Sequence, residues 1–160
     1  MEVRQLLDYD GWATAQLLEA AGSLSPEQFV QEFAGPLSSV RQQFVHLVFV
    51  MDRYRARLSQ EPVPDVSPES FATPQDLITY EAQVRRRLKD FIDGLEENEL
   101  ERVQEYATRI GLLRATVEQT LLQMVNHATY HRGQVACLFK LHGVDFADTD
   151  FLIWINQPQA

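Results

Sequence analysis

The chain has 160 residues and a formal net charge of −9, with 45% hydrophobic and 23% charged residues. These values are typical of a single globular domain over residues 1–160, and they exclude a disordered chain. No apolar run approaches the roughly 20 residues that a membrane-spanning helix needs, so we expect no membrane partner. The acidic charge also disfavours nucleic acid as a partner, because its phosphates carry the same sign.

Two features indicate the cellular compartment. Residues 1–5 lack the basic-then-apolar order of a secretory signal, and the single cysteine, Cys137, cannot form an internal disulfide. We therefore expect a cytoplasmic protein. Because Cys137 lies in an apolar helical segment, we expect it to be inert core filling.

Apolar residues recur mainly at spacings of three and four, which is the period of amphipathic helices. A first helix is predicted over residues 2–22. A capping box at residues 25–28 predicts a short helical turn. A second main helix is predicted to begin at Ser38 or Ser39 and to end at about Ser59.

The second half of the chain predicts two further main helices. The proline-rich residues 60–73 predict a crossover loop, and a third main helix follows over residues 74–92. Residues 102–114 predict a small irregular hairpin. The longest helix is predicted over residues 117–142, and a short one over residues 148–155. The residues by which this last helix is expected to pack on the bundle are Phe151, Leu152 and Trp154.

The number and order of these elements predict the fold class. Four main helices occur without a repeating unit, which excludes a solenoid. We therefore predict an all-α protein, a four-helix bundle with long crossover connections and a short C-terminal helix.

Two histidines of the longest predicted helix, His127 and His131, are four residues apart. This spacing puts both imidazoles on one helical face, where they can bind one metal ion. That face also carries core residues, so without a metal the pair would need other hydrogen-bond partners. A catalytic zinc or nickel site needs a third ligand, and His46 in the second main helix is the natural candidate. His142 precedes Gly143 and is interpreted as a C-terminal cap.

Two common metalloenzyme motifs are absent around this pair. Ala128 follows His127, where a His-Glu-x-x-His protease carries its glutamate, so peptide hydrolysis is disfavoured. Neither His127 nor His131 has a glutamate three residues upstream, as di-iron bundles require. Two interpretations stay open: a three-histidine site for zinc or nickel, and histidines that are satisfied in the core or half-exposed without a metal.

The segment His127-Ala-Thr-Tyr-His131-Arg-Gly-Gln resembles the His-x-x-x-His-Arg-Gly-Gln signature of the DinB superfamily of DinB- and YfiT-like four-helix-bundle metalloproteins. Residues 9–13, Tyr-Asp-Gly-Trp-Ala, resemble the opening of its first helix, and the resemblance covers essentially the whole chain. It implies a divalent metal, often zinc or nickel, held by His46, His127 and His131 with water at the open positions.

The resemblance also assigns residues around the ligands. Arg132 is expected to form a structural ion pair, and Gly133 to allow close helix packing. Thr14 departs from the family pattern, which often has asparagine there. The residues expected to contact and orient the metal ligands are Gln134, Tyr130 and Thr14.

The family's characterised activities include transfer of low-molecular-weight thiols, such as bacillithiol or mycothiol, to electrophiles, and isomerisation with such a thiol as cofactor. A metal lowers the pKa of a coordinated thiol or water. The resemblance therefore implies a metal-dependent thiol S-transferase acting on small electrophiles, with a metal-dependent hydrolase as the alternative. Two non-catalytic alternatives are a metal- or ligand-binding stress-response protein and a structural bundle. The bundle would form a homodimer, with help from the apolar tail at residues 151–154.

Overall fold

The computed structural model describes residues 3–157, so the predicted helix start at Glu2 lies outside the described residues. Residues 35–37, 68–70 and 97–101 form short 3₁₀ turns. Within residues 3–157, none of the helices combines the length and apolar character required to cross a membrane. The helices and strands are α1 (Val3–Ala21), α2 (Pro26–Val30), α3 (Val40–Leu58), α4 (Pro74–Asp93), β1 (Val103–Thr108), β2 (Gly111–Thr116), α5 (Val117–His142) and α6 (Phe151–Ile155).

The helix ends follow from capping residues. The side chains of Ser39, Thr73 and Thr116 each accept a hydrogen bond from a backbone N–H in the first turn of the helix that follows. Ser25 closes the predicted capping box of α2. Such caps satisfy N–H groups that have no partner inside the helix. The helix α5 ends at Gly143, whose φ of 69° is left-handed, so its predicted bounds are confirmed.

The four long helices form a bundle in which chain neighbours are not all spatial neighbours. The main contacts of α1 are with α4 and α5, and α3 packs on the same two helices. The helices α1 and α3 therefore lie on one diagonal, and α4 and α5 on the other. The long connections 22–39 and 94–116 make these diagonal crossings. The predicted four-helix bundle with long crossover connections is confirmed, and the predicted crossover loop over residues 60–73 joins α3 to α4, which are spatial neighbours.

The predicted hairpin is present but regular, so its predicted irregularity is wrong. The antiparallel pairing runs without interruption from Val103 opposite Thr116 to Thr108 opposite Gly111. Most strand residues are exposed or half-exposed, and Tyr106 is buried. Because little of either face of the hairpin is buried, its sequence lacks the strict alternation of apolar and polar residues that indicates a regular strand.

The short helix α6 packs on α1 through two of its three predicted residues. The rings of Phe151 and Trp154 lie 5.1 and 5.9 Å from the ring of Tyr9. Leu152 is 69% exposed, so its predicted packing is wrong. A helix of one to two turns can place only one face against its neighbour.

The apolar core is divided into two clusters, one towards each end of the bundle. Along α5 the first cluster reaches Ala128 and the second begins at Val135. Along α1 the corresponding interval lies between Leu7 and Leu17. Charged and polar side chains occupy this middle layer. The fully or mostly buried ones are Asp10, Thr14, Glu81 and Arg132.

Candidate metal centre

Three imidazoles meet in this middle layer, between α3 and α5. Candidate ligand atoms of His46, His127 and His131 all lie within 4.8 Å of one another. The Nε2 atoms of His46 and His127 are 3.2 Å apart. Two nitrogens bound tetrahedrally to one zinc ion would lie about 3.3 Å apart, so the spacing fits a metal. His142 is outside this histidine cluster, and its ring packs edge-on against Phe33 at 5.3 Å.

A glutamine that the sequence analysis did not single out orients one of the three rings. Nδ1 of His131 lies 2.7 Å from Oε1 of Gln43, whose Nε2 donates hydrogen bonds to the carbonyl oxygens of Pro36 and Leu37 at 2.8 and 2.7 Å. Because the amide N–H groups are engaged by carbonyls, Oε1 faces the ring and accepts from Nδ1–H. The lone pair of His131 is then on Nε2, where a metal can use it. Gln43 is one turn before His46, which is the signal that could have identified it.

The cluster favours neutral imidazoles. Burial, the largest cause, lowers the pKa of His46, His127 and His131 below the ordinary value. The pKa of His127 falls to about 4, because the charges of its two neighbours and of Arg53 add to burial. Within residues 3–157 the group contains no carboxylate that would favour protonation. Neutral imidazoles keep the lone pairs that a metal ion requires.

A second polar group lies beside the first and is made of ion pairs. Asp10 is fully buried and accepts hydrogen bonds from both Arg85 and Arg132. Arg85 also donates to Glu81 at 2.6 Å. These four residues, the ion-pair cluster, join α1, α4 and α5 with two positive and two negative charges. The predicted structural ion pair of Arg132 is confirmed.

The three supporting residues expected from the resemblance have different surroundings. Oγ1 of Thr14 is buried and lies 3.4 Å from a donor of Arg132, so it belongs with the ion-pair cluster rather than with the imidazoles. Tyr130 is 62% exposed, and its ring meets the ring of His131 edge-on at 5.2 Å. Gln134 lies beside His131, and its Oε1 is buried without a hydrogen bond of normal geometry in the described part of the chain.

Two residues of α5 differ from the sequence expectations. Cys137 is exposed, so its interpretation as core filling is wrong. A Cβ atom on Gly133 would meet nothing within 4 Å outside its own helix turn, so the expected close packing at Gly133 is also wrong. Tyr130 and Leu141, at 62% and 58% exposure, lie on the same side of α5. This side of α5 is exposed in the described part of the chain, which explains why Cys137 is not in the core.

The fold is a four-helix bundle, and its three neutral imidazoles are spaced to bind one metal ion. Together these features define a class of candidate metalloproteins. Residues 1–159 match the sequence profile of the DinB family, and the chain belongs to that family. Protein DinB of Bacillus subtilis is 23% identical over 164 residues, which cover 94% of this chain and 92% of that protein.

Solved structures share the fold at low sequence identity. A DinB-like protein from Bacillus cereus has a TM-score of 0.75 at 15% identity, covering 91% of this chain and 94% of that one. YfiT from Bacillus subtilis has a TM-score of 0.67 at 16% identity and covers 89% of each chain. YfiT is described as a probable metal-dependent hydrolase with an unusual four-helix bundle topology. At these identities the likeness establishes the fold alone.

Proposed function

We propose that this protein is a metal-dependent thiol S-transferase that acts on small electrophiles. His46, His127 and His131 would hold the divalent metal, with zinc or nickel as the expected ion. The observation that carries this proposal is the histidine cluster itself, with its 3.2 Å nitrogen pair and lowered imidazole pKa values. Three neutral nitrogen ligands leave an open position, as catalytic zinc sites require.

A divalent metal in this cluster would act as a Lewis acid that lowers the pKa of a coordinated thiol or water. In the transfer reaction the sulfur forms a bond to carbon while the bond from that carbon to its leaving group breaks. The thiol proton goes to solvent, and the leaving group departs with the bonding electron pair. Gln43 holds the His131 tautomer throughout, and the exposed edge of His46 leaves the cluster accessible to small molecules.

The donor set favours a thiol over water as the nucleophile. A free thiol has a pKa of about 8.5 and water one of about 15.7, so the thiol needs far less activation. In His-Glu-x-x-His hydrolases a glutamate takes the proton from water. The group around His127 contains no carboxylate within residues 3–157 that could serve as this base. A thiolate requires no such base.

A metal-dependent hydrolase is the second candidate, and the description of YfiT is the observation that favours it. A non-catalytic metal-binding role is the third. The experiment compares metal-free protein with zinc- and nickel-loaded protein. A set of thiols is reacted with monochlorobimane, and ester hydrolysis is measured in parallel. We expect metal-dependent conjugation that is lost in His127→Ala and kept in His142→Ala. Metal-dependent hydrolysis without conjugation would favour the second candidate, and neither activity the third.

We further propose a homodimer in the cytoplasm. Exposed apolar residues of α6 support a dimer contact, and a lone cysteine suits a reducing compartment. Sedimentation at several concentrations tests the dimer, with a monomer at all of them as the contradicting result. The exposed residues of α6 are Leu152, Ile153 and Ile155.

A further inference from the structure

An arginine lies two turns beyond His46 on α3. Arg53 is seven positions after His46, which places both on the same face of the helix, about 10 Å apart along its axis. The guanidinium of Arg53 lies over the ring of Phe49, one turn closer to His46, at 5.8 Å from its centre. It also lies 5.6 Å from the ring centre of Tyr54. Two aromatic rings therefore hold the cation beside the histidine cluster.

Arg53 has no anionic partner in the described part of the chain. No carboxylate forms a salt bridge with it within residues 3–157, and its Nε is buried without a hydrogen-bond partner. Arg55, two residues later, differs from Arg53 in that it forms salt bridges with both Asp52 and Glu61. Acidic residues outnumber Lys and Arg by 23 to 14 in this chain, so an unpaired, half-buried arginine is not explained by a shortage of carboxylates. The charge of Arg53 therefore has no compensating carboxylate in the part of the chain that the structure describes.

Arg57 lies one turn beyond Arg53 on α3, over the ring of Tyr106 at 5.9 Å, and forms no salt bridge within residues 3–157. A strip of aromatic rings and cations therefore leads from the histidine cluster towards the hairpin.

Building on the proposed function, we propose that Arg53 binds a carboxylate of the thiol substrate, so that the site selects anionic thiols over neutral ones. The guanidinium fork matches a carboxylate in charge and geometry. The substrate class is a small thiol that carries a carboxylate a few bonds from its sulfur. With a metal held by the three imidazoles, the sulfur would bind beside them and the carboxylate would face Arg53.

Cobalt-loaded protein provides a test that does not depend on turnover. Mercaptoacetate and mercaptoethanol are each titrated into it, and Kd is measured from the sulfur-to-cobalt absorption band. The quantity of interest is the ratio of the two Kd values, because intrinsic differences between the thiols cancel when ratios are compared among variants. The variants are Arg53→Gln, Arg53→Lys and, as a matched charge control, Arg86→Gln on the exposed face of α4.

We expect the preference for mercaptoacetate to fall about tenfold or more in Arg53→Gln, which corresponds to one charge-assisted hydrogen bond. Arg53→Lys should keep part of the preference, and Arg86→Gln should keep all of it. Cobalt stoichiometry should be unchanged in every variant. An equal ratio in wild type and Arg53→Gln would overturn this inference and leave the proposed function intact. If neither thiol produced the absorption band in wild type, the proposed function would fail, and this inference with it.

Discussion

The histidine cluster and the ion-pair cluster occupy the same middle layer of the bundle, yet they differ in burial and in how their charges are compensated. In the ion-pair cluster, Asp10 and Glu81 face Arg85 and Arg132, so the charges compensate each other. Within residues 3–157 the histidine cluster contains three bases and no carboxylate, and the charge of Arg53 makes protonation of His127 harder. The ion-pair cluster is complete in itself, whereas the histidine cluster has no compensating group of opposite charge within residues 3–157. The first group therefore holds the fold, and the second is suited to bind metal.

The largest expected effect lies in the ion-pair cluster. Asp10→Ala leaves Arg85 and Arg132 buried without their shared carboxylate, so we expect the free energy of unfolding to fall by about 3–5 kcal/mol. Urea unfolding of metal-free protein, followed by circular dichroism, measures the change. Asp8→Ala is the matched control, because Asp8 is an exposed aspartate on the same helix. A loss in Asp10→Ala no greater than in the control would show that the ion pairs do not hold the layer.

The next largest expected effect is a change in zinc affinity, which concerns the histidine cluster and not the ion-pair cluster. Gln43→Leu removes the acceptor that fixes the His131 tautomer, and we expect zinc affinity to fall about 10- to 100-fold. Competition with a chromophoric chelator measures this affinity. Gln42→Leu, the adjacent glutamine that bonds to the exposed Glu32, is the control and should bind zinc normally. Unchanged affinity in Gln43→Leu would mean that the ring is oriented without Gln43.

The pH dependence of the metal-free protein sharpens the comparison further. The pKa of His127 is about 4 in the folded protein and 6.5 in the unfolded reference. Between these values the unfolded chain binds more protons, so the stabilising contribution is present above pH 6.5 and is lost as pH falls towards 4. With solvent screening at this half-exposed ring, the loss should be about 1–2 kcal/mol.

Unfolding free energies of wild type and His127→Ala at pH 7 and pH 4.5 test this expectation. Carboxylates titrate in both proteins, so the difference between their pH slopes isolates the imidazole. We expect the steeper slope in wild type. Parallel slopes would contradict the lowered pKa.

The smallest effect concerns Gly133, which lies between Arg132 of one cluster and Gln134 beside the other. Because a Cβ there meets open space in a helix interior, Gly133→Ala should raise the unfolding free energy by about 0.5–1 kcal/mol without changing zinc affinity. Gly143→Ala should have the opposite sign, because Gly143 has a left-handed φ. Thermal unfolding of both variants is the measurement. A destabilising Gly133→Ala would restore the expectation of close packing at this position.

The parts of this architecture that could be predicted from sequence are local. Caps such as Thr116 and the left-handed Gly143 fix the ends of α5, and a spacing of four places His127 and His131 on one face. His46 could be singled out because few histidines occur in the chain. The four main helices without a repeating unit predicted the bundle, and the resemblance to one family agreed with that prediction.

The parts that could not be predicted depend on which helices are neighbours. The diagonal arrangement of α1 and α3 brings Asp10 against arginines of α4 and α5, and no periodicity within one helix encodes that contact. The contact between Gln43 and His131 could not be predicted for the same reason, because the two residues lie on different helices. Cys137 was assigned to the core because its helix is apolar, but its side of α5 is exposed in the described part of the chain.

The measurement that tests the central claim most directly is metal content per chain, determined by elemental analysis on protein purified without a histidine tag. The account predicts about one divalent metal ion per chain in wild type, none in His127→Ala and an unchanged content in His142→Ala. If wild type carries no metal and takes up neither zinc, nickel nor manganese, the three histidines are not a metal centre, and the proposed enzymatic function is contradicted.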